Sequence, residues 1–146
     1  MKRIKKADLV KLLKISKNFL MVDELSLDKK NKFASAKKKF NKNVWFYKDH
    51  FIDQPIMPGT LQVEAMLQTT VSLLYLIKGK SDNKILINNV SSNFFEKISS
   101  PGVLEIKSNI KKMSKGFIEA DSEIVFKNKK ISDSRFRFID PSKFKL

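Results

Sequence analysis

Pro58-Gly59-Thr60-Leu61-Gln62-Val63-Glu64-Ala65-Met66-Leu67-Gln68 opens a long run that continues Thr69-Thr70-Val71-Ser72-Leu73-Leu74-Tyr75-Leu76-Ile77-Lys78 and halts at Gly79. The spacing predicts a helix from about Gly59–Thr60 to Lys78. Gly79 stops it, and Lys78 and Lys80 complement the negative end of its dipole. At about 1.5 Å per residue such a helix is nearly 30 Å long. Its apolar side chains, from Leu61 and Val63 through Leu76 and Ile77, lie nearly all round, so it belongs inside a fold rather than on a surface. Two polar residues interrupt it: Glu64, one turn in, and Gln68, at i+4 on the same face.

Upstream, Lys48-Asp49-His50-Phe51-Ile52-Asp53-Gln54-Pro55-Ile56-Met57-Pro58-Gly59 reads as a loop stiffened by two prolines three apart. Before it stands an aromatic cluster, Val44-Trp45-Phe46-Tyr47. Residues 7–15 predict a short amphipathic helix capped by Asp8. Phe19 to Asp23, running on to Leu27, predicts a strand, and Phe33 to Phe40 a second strand paired back on it across Lys29-Lys30-Asn31-Lys32. Downstream the signals are all of strands: Ile85 to Val90 leading to Phe94-Phe95, then Val103 to Ile110, Phe117 to Phe126 and Ile131 to Ile139. Turns at Pro101-Gly102, Ser114-Lys115-Gly116 and Asn128-Lys129-Lys130 separate them, as in a β-meander. One buried helix between a hairpin and a meander predicts an α+β fold, an antiparallel sheet curled around a central helix. Residues 1–146 are read as a single domain, with no repeat and no linker.

The chain's 146 residues are 42% hydrophobic, enough for a core. There is no Cys and one His, which excludes a disulfide scaffold, a cysteine nucleophile, thiolate metal sites and a multi-histidine zinc site. Twelve Phe spread along the chain argue against disorder. No segment is apolar enough to span a bilayer, since Gln62, Glu64 and Gln68 break the best candidate, Leu61 to Ile77. The basic start, Met1 to Lys6, lacks the apolar run of a signal peptide, so a cytoplasmic protein is expected. Lys and Arg number 30 against 15 Asp and Glu, a formal charge of +15. Only Arg3, Arg135 and Arg137 are Arg, and lysine is poorly suited to bidentate base recognition, so no specific nucleic-acid partner is expected. Such a charge instead coats a soluble surface or steers an acidic partner.

His50 is the only side chain that titrates near neutrality without perturbation. Glu64 is a carboxylate on an apolar helix, costly unless paired, hydrated or neutral. Gln68 can hydrogen-bond it. The Gly59 N–H sits at the positive helix end with no side chain to block approach, a donor ready for an anionic oxygen. A lone loop histidine or an acidic residue near a helix start is commonplace. The combination is what points to chemistry.

Asp49-His50-Phe51-Ile52-Asp53-Gln54-Pro55-Ile56-Met57-Pro58-Gly59, continued to Glu64-Ala65-Met66-Leu67-Gln68, resembles the active-site segment of the β-hydroxyacyl-(acyl-carrier-protein) dehydratases, whose pattern is G-H-F-P-x-x-P-x-x-P-G-x-x-x-x-E-A-M-x-Q. Phe19-Leu20-Met21-Val22-Asp23 is similar to that family's P-F-L-x-V-D segment, and Pro101-Gly102 to its later P-G-D turn. The resemblance spans about residues 18–138. It implies a hotdog fold and a homodimer with sheets joined edge to edge, the histidine of one subunit facing the acid of the other. Some members assemble further, into hexamers built as trimers of dimers. It also implies dehydration of a 3-hydroxyacyl thioester to the trans-2-enoyl thioester. His50 would be the base, Glu64 the acid, the Gly59 N–H the donor to the thioester oxygen, and Gln68 and the Ile56 carbonyl supporting groups. No metal and no cofactor is implied, because the substrate brings its own phosphopantetheine on an acyl carrier protein. The acidity of that carrier suits the basic charge.

This chain departs from the pattern in places. The family's Gly before His is Asp49, and its Pro-Gly after His-Phe is Ile52-Asp53. The basic A-R-F-x-x-P pattern reads Asn93-Phe94-Phe95-Glu96-Lys97-Ile98, and the turn's Asp is Val103. A divergent member with an altered acyl pocket or docking surface is expected. The alternatives are a non-catalytic acyl-binding or partner subunit of the same fold, and a thioesterase.

Overall fold

Proline and glycine bound the central helix where the sequence places them. The computed structural model describes residues 1–81 and 85–143. Helix α3 spans Gly59–Lys78, entered from Pro58 and ended by Gly79, whose left-handed backbone (φ 74°) lets its N–H reach the Tyr75 carbonyl at 2.8 Å. Ala65, Met66, Thr69, Thr70, Leu73 and Leu74 have no exposed surface and form one stripe. Thr69 and Thr70 tolerate this burial because their hydroxyls donate to the Ala65 and Met66 carbonyls at 2.9 and 2.8 Å. Leu61, Val63, Leu67 and Val71, off that stripe, are only half buried. The helix is therefore enclosed on one face of the protomer and part-open on the other.

Seven antiparallel strands supply the enclosing surface: β1 Lys2–Lys5, β2 Glu24–Asp28, β3 Phe33–Phe40, β4 Leu86–Phe94, β5 Gly102–Ser114, β6 Phe117–Phe126 and β7 Lys129–Ile139. Their spatial order is β1-β2-β3-β5-β6-β7-β4. Strand β6 alternates buried and half-buried residues along its whole length, the period-2 signature of one face on a core. The inward face is not purely apolar. Ser108 Oγ lies 2.8 Å from Ser122 Oγ and 3.0 Å from Thr70 Oγ1 of α3, which is free to accept because its own hydrogen goes to Met66, so the helix is tied to the sheet by hydroxyls as well as by packing. This α+β arrangement, a sheet around a long helix, is the hotdog fold.

Several elements differ from the sequence reading. Helix α1 (Lys6–Leu13) is entered from Lys5 with no side-chain cap, and Asp8 lies within its first turn. Phe19 to Asp23 is no strand: Phe19 closes a turn, its N–H on the Ser16 carbonyl at 3.1 Å, and Asp23 sits at a bend. Its Met21 N–H is taken by the Gln68 side chain, and backbone pairing begins only where the Asp23 N–H reaches the Lys37 carbonyl at 2.7 Å. The aromatic cluster forms a short helix α2 (Trp45–Asp49), so the loop begins at His50. Strand β1, absent from the sequence reading, pairs with β2. Strand β4 does not join the meander of β5, β6 and β7. It crosses to the far edge and pairs with β7.

Candidate active site

The segment after α2 is folded by its own backbone. The Ile56 N–H donates to the His50 carbonyl at 2.7 Å, and Phe51 and Gln54 exchange N–H···O bonds of 2.8 and 3.2 Å. The Met57 N–H anchors the segment to the Ile98 carbonyl at 2.8 Å. This clamp fixes the imidazole: His50 Nδ1 lies 2.9 Å from the Ile56 carbonyl oxygen. A carbonyl only accepts, so Nδ1 carries the hydrogen, and Nε2 is the ring nitrogen with no partner among the described residues. The ring also stacks on Phe51, with centroids 3.9 Å apart. Tyr47 of α2 donates to the Ser100 carbonyl at 2.8 Å, and burial pushes its phenol up to about 12.

On α3, Gln68 Nε2 donates to Glu64 Oε1 at 2.9 Å. The same nitrogen donates to the Phe19 carbonyl at 3.0 Å, while Gln68 Oε1 accepts the Met21 N–H at 2.7 Å. Because a backbone N–H can only donate, this last bond sets which end of the amide faces Glu64. Glu64 Oε2 has no hydrogen-bond partner among the described residues, and the carboxylate is half exposed. The N–H groups of Gly59 and Thr60, at the positive end of a 20-residue helix, likewise have no acceptor among the described residues.

Within one protomer no hydrogen bond or ion pair joins His50 to Glu64 among the described residues. A depression of about 780 Å³ lies on the outer face of the sheet, lined among others by Asn89, Lys107, Asp121 and Arg135, and neither His50 nor Glu64 borders it. Two contributions to the site were not read from sequence. One is the Phe19–Met21 backbone that holds Gln68; its signal was an apolar run with the composition of a strand. The other is Phe94, whose ring abuts Gly59: a Cβ on that glycine would fall 2.9 Å from Phe94 Cε1.

Among the described residues, no helix is long and apolar enough to cross a membrane. Among the described residues, no group of three or more His, Asp or Glu is placed to hold a metal ion.

Comparison with known proteins places this geometry in context. The model of the FabA-like domain family matches residues 14–134. The 3-hydroxyacyl-(acyl-carrier-protein) dehydratase FabZ of Protochlamydia amoebophila is 33% identical over 128 residues, covering 85% of this chain and 82% of that protein. Among solved structures, the dehydratase heterocomplex ApeI:P of Xenorhabdus doucetiae superposes with a TM-score of 0.71 at 12% identity, covering 91% of this chain and 90% of that one. A thioesterase from Haemophilus influenzae does so with a TM-score of 0.67 at 13% identity, covering 94% and 91%. At such low identity the two structures establish the shared fold alone.

Proposed function

Because the chain belongs to the FabA-like family, a family of hotdog-fold dehydratases, we propose that it removes water from a 3-hydroxyacyl thioester carried on an acyl carrier protein. The observation that carries this reading is the clamp of His50 Nδ1 on the Ile56 carbonyl, which leaves Nε2 as a base in the neutral ring. Nε2 takes a proton from C2 of the substrate. Charge moves onto the thioester oxygen, where the unpaired Gly59 N–H and the helix dipole stabilise it. The C2=C3 double bond forms as the C3–oxygen bond breaks, and the departing hydroxyl takes the proton of Glu64 and leaves as water. Gln68 holds the carboxyl in place through its bond to Oε1. Exchange with solvent returns the proton to Glu64 and removes the one on His50. The substrate's phosphopantetheine supplies the thioester, and no further cofactor enters these steps.

The site is a composite of two subunits in this reading. One feature supports it: the edge strand β4 exposes Leu86, Ile87 and Val90 beside unpaired backbone. An acidic carrier suits a chain of charge +15.

Incubation with a 3-hydroxybutyryl thioester should produce enoyl absorbance. His50→Ala and Glu64→Ala should each lower turnover by about a hundredfold or more, the range of general acid–base catalysis, without dissociating the dimer. Wild-type rates in either variant would overturn the assigned roles. Release of free thiol without enoyl product would point to hydrolysis instead.

A further inference from the structure

We infer that Phe94 is a specificity-determining residue of the thioester site, and that its ring excludes acyl groups branched at C2. The inference rests on the dehydratase reading for the identity of the ligand. Phe94 ends β4 and stands where the family pattern carries a basic residue. Its backbone is fixed: it pairs with Ser132 of β7, and the following Phe95 N–H donates to the Ile131 carbonyl at 2.8 Å. Its ring lies against the first residue of α3. A Cβ built on Gly59 would meet Phe94 Cε1 at 2.9 Å, Cζ at 3.1 Å and Cδ1 at 3.3 Å, and these are its nearest neighbours. Across two bonds the Gly59 nitrogen lies about 2.5 Å from that Cβ position, so a ring carbon stands within about 5.4 Å of it.

That nitrogen is the donor proposed for the thioester oxygen. An oxygen accepting from it at about 2.9 Å brings the carbonyl carbon and C2 into the same few ångströms that the ring borders. Phe94 is 50% exposed, so one part of its ring packs on Gly59 while the rest forms an apolar wall beside the donor. A CH2 at C2 passes such a wall. A methyl branch at C2 has no equivalent room unless the ring moves, and a ring carried by a paired strand does not move freely. A basic side chain at this position would leave a flexible tether in place of a flat wall.

Equilibrium binding of crotonyl-pantetheine and of its 2-methyl counterpart, tigloyl-pantetheine, tests this on the full chain. The wild type should bind the unbranched thioester at least tenfold more tightly. Phe94→Ala should bring the two affinities within about twofold, chiefly by strengthening tigloyl binding. Phe94→Leu, which keeps β4 apolar, should fall between them and guards against misfolding of the smaller variant. Equal affinities in the wild type, a ratio unchanged in both variants, or no binding of either thioester would overturn the inference. Turnover of 3-hydroxybutyryl thioester is read separately. Turnover with an unchanged ratio removes Phe94's role and leaves dehydration standing, whereas a collapsed ratio without turnover keeps the role and removes dehydration.

Discussion

Gln68 commits its amide oxygen and both amide hydrogens to three partners: the Met21 N–H, the Phe19 carbonyl and Glu64 Oε1. It is 4% exposed, so truncation strands buried backbone groups as well as freeing the carboxylate. Gln68→Ala should cost about 1–3 kcal/mol for each buried group left unpaired, read as an earlier urea midpoint. It should also lower kcat at least tenfold while KM changes little, because Glu64 would lose its orientation. A variant that lost stability but kept wild-type kcat would make Gln68 a structural group only. Gly59 is answerable to packing in a similar way. Gly59→Ala forces its Cβ against the Phe94 ring, with an expected loss of about 1–3 kcal/mol from overpacking. In Gly59→Ala/Phe94→Ala that collision is gone, so the two losses should fall short of additivity in a double-mutant cycle. Strict additivity would place the clash elsewhere.

Short elements carry the site as much as the long helix does, and α2 is testable by pH. Tyr47, 3% exposed, is held neutral in the fold, its phenol pushed up to about 12 by burial, against about 10 in an unfolded chain. The folded pKa is the higher one, so this contribution is complete below pH 10 and is lost as pH rises from 10 toward 12. In Tyr47→Phe that part of the pH dependence should vanish. The variant should also lose about 1 kcal/mol at neutral pH, with the bond to the Ser100 carbonyl. Thermal melts of both proteins from pH 8 to 12 check it, and parallel curves would contradict it. Elements were legible in the sequence where local punctuation governs them: Pro58 and Gly79 bracket α3, and the turn residues bracket β5, β6 and β7. They were illegible where a distant partner decides. Phe19 to Asp23 has the composition of a strand, yet Gln68, 47 residues from Met21, takes the N–H that a ladder would need. Strand β1, Lys2-Arg3-Ile4-Lys5, buries only Ile4 and carries the charges that protect an edge, so no apolar period announces it. Strand β4 looks like the first arm of a meander because a crossover leaves no mark on either strand it skips. In the site, the local i+4 pair Glu64–Gln68 was visible in the helical period. The approach of Phe94 to Gly59 was not, since it depends on that same crossover.

At the scale of the whole molecule, the protomer holds each chemical group by its own local brace. His50 is clamped on its loop, Glu64 is braced on α3, and one apolar flank of the helix is only half buried. A second copy pairing along β4 would extend the sheet and cover Leu86, Ile87 and Val90. Val90→Asp would place like charges near the two-fold axis, so it should shift the protein toward monomer in light scattering and abolish turnover, although Val90 is no part of the catalytic pair. Complementation gives the sharper measurement. A heterodimer of His50→Ala with Glu64→Ala contains one site with both groups removed and one with both intact. Random pairing makes half of all dimers hetero, so an equimolar co-refolded mixture should recover about one quarter of wild-type turnover from two inactive parents. If each subunit instead supplied both groups to its own site, every site in the mixture would lack one of them and nothing would be recovered.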